Sequence, residues 1–186
     1  MVTRTPLRRR PVVWTLIAIG AVLVVVALAL FQPWKLVIDD RVDEAAPVAA
    51  APPAPGAPAA PTEPTQPTEP VVLARGELIS HEHDSSGSVV VLELPDGSRV
   101  LRLEDLNTSN GPDLQVWITD APVIEGRDGW QVFDDGRYVD LGELKGNIGS
   151  SNYSIPADAD LTGLTSVSVW CDRFNVSFGA ATLVAP

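Results

Sequence analysis

An antiparallel β-sandwich or partly open barrel, preceded by one transmembrane helix and a disordered proline-rich linker, is what this sequence of 186 residues predicts. Three observations carry that expectation. Beyond residue 71, short runs alternate apolar and polar side chains with the period of two that sends every second residue to one face of a strand. Clusters of Gly, Asn, Asp and Pro recur about every ten residues between those runs, the spacing of all-β domains. No long stretch after Val71 repeats with the helical period.

Taken in order, the chain divides at 11, 34 and 70. Residues 1–11 form a basic tip, and residues 12–31 follow with no charged side chain. At ~1.5 Å per residue such a run spans the ~30 Å of a bilayer core as a helix. The span is taken as 12–34, with Trp14 and Trp34 near its ends, where amphipathic rings prefer the headgroup region. The run exceeds the usual h-region of a cleaved signal peptide, which favours an uncleaved anchor. Arg4, Arg8, Arg9 and Arg10 precede the span, so the positive-inside rule leaves the N-terminus in the cytoplasm and exports the rest of a single-pass protein. Residues 35–70 read as a linker, and nine prolines fall within 45–70. Proline fixes φ and lacks a donor, so this tract predicts a polyproline-like stalk able to hold the domain up to ~80 Å from the membrane.

Residues 71–186 form the β-rich domain. Strands are expected at 88–94 and 99–103, joined by the Pro95-Asp96-Gly97-Ser98 turn, and at 114–119 after Asn110-Gly111-Pro112-Asp113. Residues 130–133 and 138–141 read as short strands around Asp134-Asp135-Gly136, and 153–155 as another. The last three are 166–171, 175–178 and 181–184. Val167, Val169 and Cys171 share one parity, and Phe174, Val176 and Phe178 repeat it on the next run. That pattern turns the sulfur of Cys171 into a core.

Charge and cysteine content remove several functions. Through residue 70 there are six basic and six acidic side chains, and beyond it seven basic and eighteen acidic, so the net charge of −11 belongs wholly to the exported part. Such a surface repels phosphate backbones, which argues against nucleic acid. One cysteine makes no internal disulfide, no CxxC and no CxxCH haem attachment. A thiolate nucleophile needs nearby positive charge or a helix N-terminus, whereas Cys171 lies on an expected strand beside Asp172 in an acidic domain. No Ser/His/Asp constellation is signalled. His81 and His83 are the only histidines, and at i and i+2 on a strand they would share a face suited to a metal. The sole methionine is Met1, and no His or Met follows Cys171 as a blue-copper site requires. Haem or copper is therefore allowed by Cys171, His83 and His81 but not signalled.

Motifs then point to a family. Gly76, His83 with Gly87, LRLEDLNTSNGPDLQVWIT at 101–119, VDLGELKGNIGSSNYSIP at 139–156 and SVSVWCDRFNVSFGAATL at 166–183 resemble the DM-thirteen domain. That module accompanies DOMON domains in Skeletor-type animal proteins and stands alone in membrane-anchored bacterial ones. The resemblance implies a part in electron transfer. It makes Cys171 a naked thiol or a ligand to a prosthetic group, and matches His83 to the family's early histidine. It marks Gly111, Pro112, Asp113, Lys145, Gly146, Asn147, Asn152, Tyr153 and Trp170 as motif residues of the fold. Expected partners are the membrane and a cell-envelope or redox protein. The competing class is a non-enzymatic envelope-binding module in which Cys171 only packs.

Overall fold

The computed structural model describes residues 11–47 and 69–186. The basic tip and most of the proline tract lie outside the described residues. Helix α1, Pro11–Phe31, is apolar and long enough to cross a membrane, and no residue in it is buried by the rest of the chain. It stops because Gln32 precedes Pro33, and a residue before proline disfavours the helical region; Gln32 turns instead to φ 41°. A single 3₁₀ turn, Pro33–Leu36, follows.

Among the described residues nine strands form one sheet curled into a half-barrel: β1 Arg41–Asp43, β2 Val71–Ser80, β3 Ser86–Glu93, β4 Arg99–Asn107, β5 Leu114–Thr119, β6 Tyr138–Glu143, β7 Ile148–Ile155, β8 Ser166–Cys171 and β9 Val176–Thr182. Their order is β1-β7-β4-β3-β2-β9-β8-β5-β6. Every pairing between neighbours is antiparallel except β1 with β7. Strand β2 joins the halves. Its first part pairs with β3 and its last three residues pair with β9, so the sheet bends along one strand. The two halves face one another across Val89, Val91, Leu101, Leu103, Leu106, Val116, Ile118, Tyr153 and Val167. Burying such side chains stabilises by roughly 1.5–3 kcal/mol each.

The expected strands at 114–119 and 166–171 form with those bounds. Three expectations give way. Residues 130–133 are not a strand. Their backbone closes local turns, Trp130 N–H to Arg127 O at 3.2 Å and Asp135 N–H to Val132 O at 3.4 Å, while Phe133 plugs into the outer face of the sheet. Residues 175–178 and 181–184 are not separate; β9 runs from Val176 to Thr182, with a bulge opposite Val169 and Trp170 absorbing the change of parity. Phe174 does not share the inward face. It sits in the β8–β9 turn, half exposed, and stacks on Phe31 of α1 with ring centroids 6.1 Å apart.

Residues 41–43, assigned to the linker by composition, are a strand of the sheet, with Arg41, Val42 and Asp43 in register with Ile148, Gly149 and Ser150. The helix therefore reaches the sheet through nine residues, 32–40. The proline tract runs between β1 and β2, not between helix and domain, so the spacing of ~80 Å does not apply. Those strands stand four sheet positions apart, roughly 19 Å at ~4.8 Å per step.

Gly149 makes this docking possible. It holds φ 104°, and a Cβ there would strike the carbonyl oxygen of Val42. Gly149→Ala should destabilise the protein by about 1–3 kcal/mol through the left-handed backbone and the lost approach of β1. Thermal unfolding should show a Tm several degrees lower, and β1 amides should lose protection from hydrogen exchange.

Candidate functional site

Strand β8 positions the candidate site because both its faces are covered. Val167, Val169 and Cys171 point into the half-barrel; Ser166, Ser168 and Trp170 point outward, and all six are buried. The outer face is roofed by the connection 120–137, pinned at its neck by Asp120 N–H to Arg137 O at 3.1 Å and Arg137 N–H to Asp120 Oδ1 at 3.0 Å.

Cys171 is free and fully buried. Its neighbours are Leu114, Val169, Val176 and Phe178, with Trp130 and Leu144 at the margin. Burial pushes its thiol above the ordinary range. The N–H groups of Phe174 and Arg173 pull the other way, and the Asp113 and Glu82 carboxylates add to the rise. The inward sulfur read from strand parity is thus where the structure puts it, and the protonated thiol is the resident form.

The two histidines do not share a face. They follow β2 in a bend rather than on a strand. His83 lies over Phe178, a ring of the cysteine's cluster, centroid to centroid 3.9 Å, and its Nε2 stands 3.8 Å from Glu82. His81 turns to the outer face against Phe133 at 5.7 Å and is 7% exposed. Neither of its ring nitrogens has a hydrogen-bond partner. Burial holds its imidazole below the usual pKa; the nearby Ile124 carbonyl opposes this but lacks hydrogen-bond geometry.

No second metal ligand adjoins the sulfur in its cluster. The wall is Leu, Val, Phe and Trp, and among the described residues no three of His, Cys, Asp and Glu converge to hold a metal.

Above the outer face runs a column of rings that sequence patterning did not single out. Tyr138, about half exposed, stacks on Trp117 with centroids 4.0 Å apart and planes 10° apart. Trp117 stacks on Trp170 at 5.1 Å, Trp170 meets Phe133 edge-on at 6.3 Å, and Phe133 meets His81. The indole N–H groups of Trp117, Trp130 and Trp170 are buried without partners. The only signal in the sequence is aromatic residues on adjacent strands, which says nothing of their registration.

The remaining motif residues split into two groups. Gly111, Pro112 and Asp113 pack beside the cysteine: a Cβ on Gly111 would press on Leu114 and Phe178, Pro112 completes the turn, Asp113 faces Arg173 at 3.6 Å, and its carbonyl accepts the Asp172 N–H at 2.9 Å. Lys145, Gly146, Asn147 and Asn152 instead surround residues 38–45. Tyr153 is buried behind them, its hydroxyl accepting the Lys145 N–H at 3.0 Å, and burial raises its pKa.

A family model described as Electron transfer DM13 matches residues 77–183, a span that holds His81, His83, Cys171 and the ring column. No curated protein and no solved structure matches the chain.

His81 gives a test of this dry outer face. Below about pH 6.5 the unfolded chain binds a proton that buried His81 refuses, so stability is full above that pH and falls as pH drops toward 5. His81→Leu should flatten that limb in chemical denaturation series. It should also stabilise the protein at pH 7 by about 1–2 kcal/mol, because two unpartnered nitrogens leave the interior.

Proposed function

The chain belongs to the electron-transfer DM13 family, and on that premise we propose that it is a membrane-anchored, extracytoplasmic electron-transfer module whose redox group is the buried thiol of Cys171. The ring column carries the proposal. It runs from half-exposed Tyr138 through Trp117 to Trp170, the residue adjoining Cys171 in β8. Rings in near contact pass single electrons more readily than saturated side chains do. The unpartnered indole N–H groups of Trp117 and Trp170 leave a transiently oxidised ring no base to which it can lose its proton.

The step balances as follows. A one-electron acceptor docked at Tyr138 takes one electron from the column. Cys171–SH refills it, giving up one electron and one proton and becoming a thiyl radical. The proton leaves on the side of the Asp113 and Glu82 carboxylates, whose charges already act on the sulfur. A one-electron donor, another protein of the envelope or a membrane-borne reductant, restores the thiol together with a proton. Disulfide exchange is not part of this reading, since a fully buried sulfur offers no line of attack to a second thiol.

The elevated thiol pKa and the apolar wall favour a second reading, an envelope-binding domain in which Cys171 only packs. One experiment separates the two. A ruthenium polypyridyl photo-oxidant with a sacrificial acceptor should generate a tyrosyl or tryptophanyl radical in the full chain, seen by transient absorption. Decay should be fast in the native protein and several-fold slower in Cys171→Ser, and Trp117→Leu should cut the yield at Trp170. Identical decay in native and Cys171→Ser protein would leave the thiol a packing residue.

A further inference from the structure

The motif residues that do not face Cys171 converge on one short acidic segment, and their chemistry is that of a peptide site. Asn147, 1% exposed, accepts the backbone N–H of Asp40 at 2.7 Å through Oδ1. Its Nδ2 donates to Asp39 Oδ1 at 2.9 Å and to Thr108 O at 2.7 Å. Asn110 Nδ2 donates to Ile38 O at 3.2 Å and to Asp40 Oδ2 at 2.8 Å. The far end is held by Glu44. Its carboxylate takes Lys145 Nζ at 2.8 Å and the Asn152 N–H at 2.7 Å, and its carbonyl takes Arg102 Nη1 at 3.1 Å. Lys145 and the Asn152 N–H together hold the Glu44 carboxyl below its ordinary pKa. Asn152 Nδ2 reaches Ala45 O at 2.9 Å. Between these ends the segment pairs as β1, and the floor is cleared by glycine. A Cβ on Gly146 would come within 2.6 Å of Asp40 O and 2.8 Å of Val42 Cγ2.

Side-chain amides on backbone polar groups, a lysine on a carboxylate and a parallel ladder together describe β-augmentation by an acidic strand. We propose that this groove is a strand-acceptor site, that residues 38–45 are its resident ligand, and that the site joins α1 to the domain without needing the covalent connection 48–68. The chemical class it takes is an extended peptide with a pair of acids ahead of a three-residue strand and a glutamate after it, here Asp39, Asp40 and Glu44. Three backbone pairings alone make a weak strand. The two ends supply charge-assisted bonds to Lys145, Arg102, Asn110 and Asn147.

The test cuts the covalent route and asks what remains. A protease site is inserted between Gly56 and Ala57 of the full chain, which is reconstituted in lipid nanodiscs loaded with one chain each and, as a second sample, with two. After cleavage the fragment from residue 57 onward should still elute with the disc. Excess peptide of sequence VIDDRVDEAA should release it, and the same peptide with asparagine for Asp40 and glutamine for Glu44 should require roughly ten- to hundredfold more. Glu44→Gln in the chain should shorten retention likewise. That residue lies on the disc-bound fragment, so loss of retention is not loss of the domain's own fold. Immediate escape of the unmodified fragment from the disc would overturn the proposal. Retention seen only in discs holding two chains would overturn it too, in favour of strand exchange between copies.

Discussion

The two-sided burial of β8 is the constraint on which the rest of the structure depends. A strand in an open half-barrel ordinarily keeps one face in water. Here the connection 120–137 roofs the second face with Ala121, Val123, Val132 and Phe133, so adjacent residues of one strand enter two different dry compartments. Cys171 is assigned to the inner one and Trp170 to the outer one by nothing more than parity. The free thiol, the ring column and the unpartnered His81 nitrogens all follow from that arrangement.

Much of it was legible in the sequence where periodicity dominates. Val167, Val169 and Cys171 announce their common face, and β5 and β8 have the limits that alternation gives them. Alternation fails where a side chain's partner lies outside the strand ladder. Trp130 through Phe133 look extended because they are apolar, but Phe133 is held by rings across the sheet and the backbone is free to turn. Phe174 keeps the right parity on paper, yet the left-handed residue Asn175, φ 54°, resets the phase before β9 begins. Alternation pairs His81 with His83, and the bend that follows Ser80 parts them.

Residues 39–44 carry no local strand signal. Acids next to a membrane-length helix look like solvated linker, since no local pattern in three strand residues outweighs them. Their partners, Asn110, Asn147 and Lys145, lie some seventy to a hundred positions away in the chain. The motifs that mark the family thus divide between two duties: one part frames the cysteine, and the other receives a strand. Conformational permissiveness at Gly149 serves the second duty alone.

The parallel pairing of β1 with β7 has a mechanical consequence. Because β1 runs alongside β7 and leaves the sheet toward α1 at its first residue, a pull on the helix along the strand direction loads the ladder and the Glu44–Lys145 contact together. Bonds strained side by side share the load, whereas bonds peeled from one end yield in turn. A domain dragged by its own tether would hold by shear until the whole set parts at once.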